Sequence, residues 1–392
     1  MWSMKHDVLI VGGAAMGSAV AYYLKSMDPS ISVAVIERDS TYARSSTVLS
    51  DGNVRIQFNL EENIRISQYA FEVLETFADD MEVGGYRPEP GSRHQGNLFL
   101  ADLEHRADAL SGMETQQGLG CNVGWVDALE IAARWPTFAG PHYIGGTFGP
   151  GDGSVDPNAV IRGYRQRATE MGVEFVENEV AELIRDDDRI VGVRLVTGDE
   201  LRAPAVVNCA GAWSPSLLAG IGVDIPVLPV MRNVFIVDSH LEWDGDLPSV
   251  FLPSGLYVLP ERDGKFLVAW SLPDDPVGFD FTVRRSKFFD RIWPELVDHF
   301  PAFDQLDIAG SWAGLYAVNT LDGNAIIGEW PEVGGLYVCT GFSGHGFQQC
   351  HAVGRYLAEL ILQRDPVLDL SRLGPQRIID GNPLYEHAGR LI

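Results

Sequence analysis

Asp7-Val8-Leu9-Ile10-Val11-Gly12-Gly13-Ala14-Ala15-Met16-Gly17 is the stretch on which the reading of the whole chain turns. Asp7 to Val11 is an apolar run of strand type, and Gly12 to Gly17 is a glycine-bearing turn. From Ser18 to Lys25 the residues Val20, Tyr23 and Leu24 recur at helical spacing, and Ser32 to Ile36 is a second β-rich run ending in Glu37. Strand, turn, helix, strand is the unit that sets a pyrophosphate on a helix N-terminus, where unpaired N–H groups and the helix dipole favour an anion. Gly12 permits the tight turn and Gly17 lets the helix lie close on the strand, with Gly13, Ala15 and Met16 beside the phosphates. The middle glycine of the usual pattern is Ala14, whose methyl crowds that approach slightly. Glu37, twenty-five residues after Gly12 and followed by Arg38, is placed to accept from both ribose hydroxyls. An acidic residue there serves NAD and FAD alike, so this unit leaves the dinucleotide open.

Composition narrows the partners. The chain has 392 residues, 46% hydrophobic and 21% charged, which suits two intertwined globular domains. Its 54 acidic against 29 basic residues give a formal net charge of -25, so it lacks the basic footprint that nucleic acid or an anionic membrane surface needs. Cys121, Cys209, Cys339 and Cys350 are scattered, with no Cys-x-x-Cys pair, which argues against a disulfide framework and a structural zinc and suits a reducing, cytoplasmic setting. No metal site is expected: Asp186-Asp187-Asp188 ahead of Arg189 reads as a solvated turn. Val8 to Leu24 could pass for a signal peptide, but the glycine pattern inside it gives a better account, and no other stretch is apolar enough to span a bilayer.

Further along come Ser45-Ser46-Thr47, Ser50-Asp51-Gly52-Asn53-Val54-Arg55, Val206-Val207-Asn208-Cys209-Ala210-Gly211-Ala212-Trp213 and Gly341-Phe342-Ser343-Gly344-His345-Gly346-Phe347-Gln348. In order and spacing these resemble the D-amino-acid oxidase superfamily of FAD-dependent amine and amino-acid oxidoreductases, the sarcosine oxidase and dehydrogenase group in particular. Asn319-Thr320-Leu321-Asp322-Gly323-Asn324 with Gly346 to Gln349 is closest to the FAD-dependent oxidoreductase domain proteins within it. The resemblance runs from about residue 6 to residue 378. Read without the family, Gly341–Gly346 follows the strand-like Leu336 to Cys339 and precedes a helix in which Phe347, Cys350, Val353, Leu357 and Leu360 repeat at three- and four-residue steps. This is a second anion site, suited to the negative charge of a reduced flavin. Two such elements at opposite ends of the chain fit one elongated FAD between them.

The expected fold class is α/β: a Rossmann-like FAD-binding domain with a second, α+β substrate domain built on an antiparallel sheet. The FAD-binding part is expected from residues 1–80, 146–222 and 311–375, and the substrate part from 81–145 and 223–310, with 376–392 as a C-terminal tail. Pro157 to Met171 reads as a helix, and Asn233 to Val237, Leu256 to Leu259 and Phe266 to Trp270 as strands of the antiparallel sheet. Val180 should sit by the adenine, and Ser45, Ser46, Thr47, Asp51, Gly52, Asn53, Cys209, Ala210, Gly211 and Trp213 along the cofactor.

The resemblance implies a small amino acid or N-alkyl amino acid as substrate. Its carboxylate would be gripped by Arg55, because a guanidinium holds a carboxylate bidentately and so orients the C–H bond toward flavin N5. The family's second cation, a lysine just past the Gly-His-Gly turn, is Gln348 here, which leaves Arg232 and His345 as further grips. Tyr257 and Tyr316 match positions that often face the substrate. The lysine with which family oxidases help oxygen react falls near Val268, with Lys265 three residues away, which favours a dehydrogenase with an electron-transfer partner over an O2-using oxidase. The family's attaching cysteine is Gly314 and no histidine follows Ser46, so the FAD is expected to be non-covalent. The expected reaction is hydride transfer from a neutral amine to the flavin, the imine then hydrolysed by water. The alternatives are a flavin-binding assembly protein without turnover, a primary D-amino-acid dehydrogenase, and a plain NAD-dependent dehydrogenase.

Overall fold

A computed structural model describes residues 6–243, 245–261 and 264–386. Its first sheet has six strands in the order Ile326–Glu329, Leu336–Thr340, Ala205–Asn208, Val8–Val11, Val33–Glu37 and Glu174–Glu177. All neighbours are parallel except the edge pair Ile326–Glu329 with Leu336–Thr340. Strands buried on both faces need continuous apolar runs rather than alternation, and Val8–Val11 is buried at every position. The helices Ala15–Met27 and Gly346–Ile361 lie side by side on one face. A Cβ on Gly354 would stand 2.8 Å from that of Ala19, so only glycine allows the two helices this approach. Ile10, Val20, Leu24, Val353 and Leu357 form the core between sheet and helices. The opposite face carries a second cluster of Leu9, Val11, Val206 and Val338. Pro157–Glu170, the helix expected at 157–171, packs beside Ala15–Met27 on the first face, with Pro157 at its first turn and Asp156 as N-cap, accepting from the Asn158 N–H.

A second, eight-stranded sheet is antiparallel in all but one pair, and the three strands expected at 233–237, 256–259 and 266–270 are in it. It also takes Gly145–Gly149 and Asp307–Asn319, most of whose residues lie in stretches read from the sequence as nucleotide-binding. The long strand Val227–Asp238 pairs along its whole length with Asp307–Asn319, and this backbone ladder, invisible to periodicity in either strand alone, decides where both belong. Residues 376–386 are tethered to this core by hydrogen bonds. Arg377 is buried and its Nε donates to Asp322 at 3.0 Å, while Asn324 bonds the Leu384 carbonyl, so the Asn319–Asn324 motif anchors the C-terminal segment.

Candidate active site

Both sheets contribute to one cavity of about 770 Å³. At its mouth on the first sheet stands the turn after Val8–Val11. Gly12 has φ +95°, and a Cβ on it would meet the Cys209 carbonyl at 2.6 Å. A Cβ on Gly17 would sit 1.9 Å from the Gly12 carbonyl, so the helix touches the turn backbone to backbone. The two helix N-termini at the cavity, at Ala14 and His345, have no side-chain cap and no acid in their first turns. Their unpaired N–H groups are free to meet an anionic ligand. Glu37 lines the cavity with both oxygens oriented: Oε2 accepts from the Gly13 N–H at 2.8 Å and Oε1 from the Asp39 N–H at 3.0 Å. Each oxygen keeps a lone pair for a ribose hydroxyl. Arg38 stacks on Trp213 at 3.9 Å, and Val180, Ala210 and Gly211 stand in the same wall.

The structure brings together most of the residues singled out above. Met16, Ser45, Ser46, Thr47, Asp51, Asn53, Cys209, Gly314, Ser343, Gly344, Gly346 and Phe347 all line the cavity. Four do not. The Gly13 N–H is committed to Glu37, and Ala15 is packed in the core under the sheet. A Cβ on Gly52 would meet Val155 and Pro157, and one on Gly341 would meet Val227, Asn319 and Ile326, so both glycines serve backbone approach beside the cavity rather than its wall.

At the other end Arg55 is buried, its guanidinium 4.5 Å from the Phe58 ring and 5.3 Å from that of Phe99. Its Nη2 is 3.0 Å from His345 Nε2. Arginine only donates, so Nε2 is the acceptor and the ring proton lies on Nδ1. Burial, then the Arg55 charge, pushes the His345 pKa down to about 3, so the ring is neutral. Among the described residues no carboxylate stands at ion-pair distance from Arg55; Asp152 and Glu386 act on it through space. Burial raises the Asp152 pKa to about 7 against bonds from Gln57 and the Ile56 N–H.

Gln348, singled out as a substrate- and cofactor-site residue at the lysine's position, lines the cavity, but its amide is engaged by the chain itself. Its Oε1 accepts from the Arg55 N–H at 2.7 Å and its Nε2 donates to the Arg55 carbonyl at 2.6 Å. The amide is spent on holding the Arg55 backbone. Arg232 lines the cavity, paired with Asp275 at 2.7 Å and lying 5.2 Å from the Tyr316 ring. Tyr257 and Tyr316 are both cavity residues next to Asp51; burial, then that carboxylate, holds the Tyr257 pKa well up and that of Tyr316 at about 12, so both hydroxyls keep their protons. Val268 points away, into the core behind the sheet, whereas Leu267 and Ala269 pack with Tyr257 and Phe251. Lys265 pairs with Asp238 at the strand's far end, and no lysine lines the cavity among the described residues.

The family model described as FAD dependent oxidoreductase matches residues 7–360. This chain belongs to that family. FAD-dependent oxidoreductase domain-containing protein 1 of Bos taurus is 32% identical over 98% of this chain and 87% of its own length. Glycine oxidase of Geobacillus kaustophilus is 25% identical over 94% and 96%. Among solved structures, L-proline dehydrogenase from P. horikoshii superposes with a TM-score of 0.85 at 25% identity, covering 98% of this chain and 100% of that one. The family's cofactor is FAD, and the donor set here fits it: two uncapped helix N-termini for anionic groups and an oriented carboxylate for a ribose, all bordering one cavity. Gly12, Ala14, Gly17, Glu37 and Ser45 would hold the dinucleotide half, and Gly314, Gly344 and Gly346 the ring. With Gly314 where a linking cysteine would be, and its side facing Leu49, the wall offers no thiol there. Among the described residues there is no metal-ligand cluster, and no helix is long and apolar enough to cross a membrane.

Two residues of this end escaped the sequence. Asp152 lies in a Gly-Pro-Gly-Asp-Gly turn, where an acid framed by glycines was the one available signal. Glu386 had none.

Proposed function

We propose that this FAD-dependent oxidoreductase oxidises the C–N bond of a small amino acid or N-substituted amino acid. The observation that carries this reading is the buried Arg55 guanidinium, facing the cavity beside a neutral histidine and with no carboxylate among the described residues at ion-pair distance. A buried cation without a counterion is costly, and a substrate carboxylate would supply one. The His345 ring accepts from Nη2 and so fixes the fork. Gln348 holds the Arg55 backbone by both its groups, which keeps the fork from swinging. Phe58, Phe99 and Phe251 exclude water from that end. The Tyr257 and Tyr316 hydroxyls, next to the Asp51 carboxylate, would take the amine. FAD, when bound, supplies the hydride acceptor. No side chain of ordinary base strength is needed if the amine enters deprotonated. The lysine-free wall supports a dehydrogenase passing electrons to a protein or quinone acceptor rather than to O2. The test is anaerobic mixing of the yellow holoenzyme with N-methyl, N-carboxyalkyl and primary amino acids. Bleaching by one of them, with slow recovery in air, is the expected result; no bleaching by any would reject the proposal.

A further inference from the structure

We infer that the substrate carries a second carboxylate and that Arg232 binds it. This deepens the reading of Arg55 just given and rests on it. Arg232 stands on the long strand Val227–Asp238, opposite Gly314 on Asp307–Asn319. Alternation puts Arg232 and Val234 on one face of their strand and Gly314 and Tyr316 on the same face of the next, and all four line the cavity. The Arg232 guanidinium lies 5.2 Å from the Tyr316 ring, and the Tyr316 hydroxyl feels the charges of both Arg232 and Arg55. The two guanidiniums therefore serve the same end of the cavity.

Arg232 is paired, yet its charge is not spent. Its Nη1 donates to Asp275 at 2.7 Å, but the same carboxylate takes Lys287 on its other oxygen and the Leu272 N–H at 3.1 Å. The side chains of Asp275 and Lys287 are 4% and 10% exposed, and neither lines the cavity. Lys287 gives a further bond to the Trp270 carbonyl at 2.8 Å; burial lowers its pKa, and Asp275 opposes that. Asp274, exposed and paired with Arg291, reaches Lys287 only through space. One acid between two cations leaves a positive charge over, and Arg232 is the member of the cluster that meets the cavity. Its Nη2 bonds to nothing among the described residues and, unlike Nε, keeps accessible surface. A half-used guanidinium in a cavity wall is suited to a carboxylate. A substrate with one carboxylate spends it on Arg55 and leaves Arg232 unanswered, whereas a dicarboxylic amino acid, with its second carboxyl on the nitrogen substituent or on the side chain, answers both.

The test uses holoenzyme at fixed ionic strength and ligands without a C–N bond to oxidise, read by the shift of flavin absorbance on titration. Oxydiacetate and methoxyacetate, with an ether oxygen in place of the substrate nitrogen, probe a carboxyl on the nitrogen substituent. Succinate and glutarate, against butyrate and pentanoate, probe one on the side chain. The chain's net charge of -25 repels a dianion more than a monoanion, so a gain must come from a local site. One of the dicarboxylates should bind about tenfold or more tighter than its monocarboxylate partner, the size of a hydrogen bond to a charged group. Arg232→Met should cut that gap to about twofold or less, and Arg232→Lys should keep only part of it. Lys287→Met leaves Asp275 to neutralise Arg232, so it should narrow the gap without a contact to the ligand; these last two variants decide if Arg232→Met holds no FAD. If both kinds of probe bind and the dicarboxylates gain nothing, or if their gain survives loss of the Arg232 guanidinium, the second-carboxylate proposal alone falls. If no probe of either kind shifts the flavin, the carboxylate reading of Arg55 falls and takes this one with it.

Discussion

Replacing Arg55 by lysine tests the central claim most sharply, because it keeps the charge and removes the fork. Arg55 presents two nitrogens besides the one given to His345, and a carboxylate lying against them would take two parallel charge-assisted bonds. A lysine ammonium reaches the same space with one, and no longer donates from a position fixed by the ring. One lost hydrogen bond to a charged group is about 1.5–3 kcal/mol, so kcat/KM should fall about ten- to a hundredfold. Arg55→Met removes both bonds and should cost about a thousandfold or more. Anaerobic stopped-flow reduction gives kcat/KM, and titration with N-acetylglycine gives carboxylate affinity independently of turnover. FAD content should be unchanged, as Arg55 stands at the far end from the Glu37 turn. If Arg55→Met binds N-acetylglycine as wild type does, to within about twofold, the carboxylate is held elsewhere and the reasoning fails.

Other outcomes follow from the same geometry. Glu37→Ala removes the acceptor of the Gly13 and Asp39 N–H groups and of a ribose, so FAD affinity measured on apoprotein should fall about tenfold to a hundredfold. Gly17→Ala puts a methyl 1.9 Å from the Gly12 carbonyl, so backbone must move; purified protein should be colourless and unfold at lower temperature, by about 1–3 kcal/mol or more of lost stability. Stability should also fall on acidification. His345 and His351, with pKa values pushed from 6.5 to about 3 by burial, take up protons only when unfolded, whereas Asp152, raised from 3.8 to about 7, holds one only when folded. Below pH 6.5 two protons gained on unfolding against one released leave a net uptake of one, so stability drops by about 1.4 kcal/mol per pH unit between about pH 6 and 4. Asp152→Asn should double that slope in denaturant melts, and an unchanged slope would show that Asp152 titrates normally.

The sequence could be read for whatever is carried by neighbours along the chain. Gly12, Gly17 and Glu37 declare a nucleotide turn because tight turns, helix packing and ribose binding each demand a residue type at a fixed offset. The strand-loop-helix around His345 is legible for the same reason. Arg55, Tyr257 and Tyr316 came from the family resemblance, and they do line the cavity. That Gln348 lines the cavity and at the same time holds the Arg55 backbone, 293 residues away in the chain, is not legible in the sequence. Val268 is a case of strand parity: the face it takes depends on register against Val227–Asp238, and one residue of slip would reverse it.

What the sequence by itself determined, then, is a nucleotide-binding α/β fold with an antiparallel partner, since local steric and hydrogen-bonding demands write those into short motifs. Tertiary structure alone decided that no carboxylate among the described residues pairs with Arg55, while Asp152 and Glu386 act on its charge through space. Charge balance and burial are sums over everything that comes near in space, and Glu386 comes near only because Asp322 and Asn324 hold the segment that carries it.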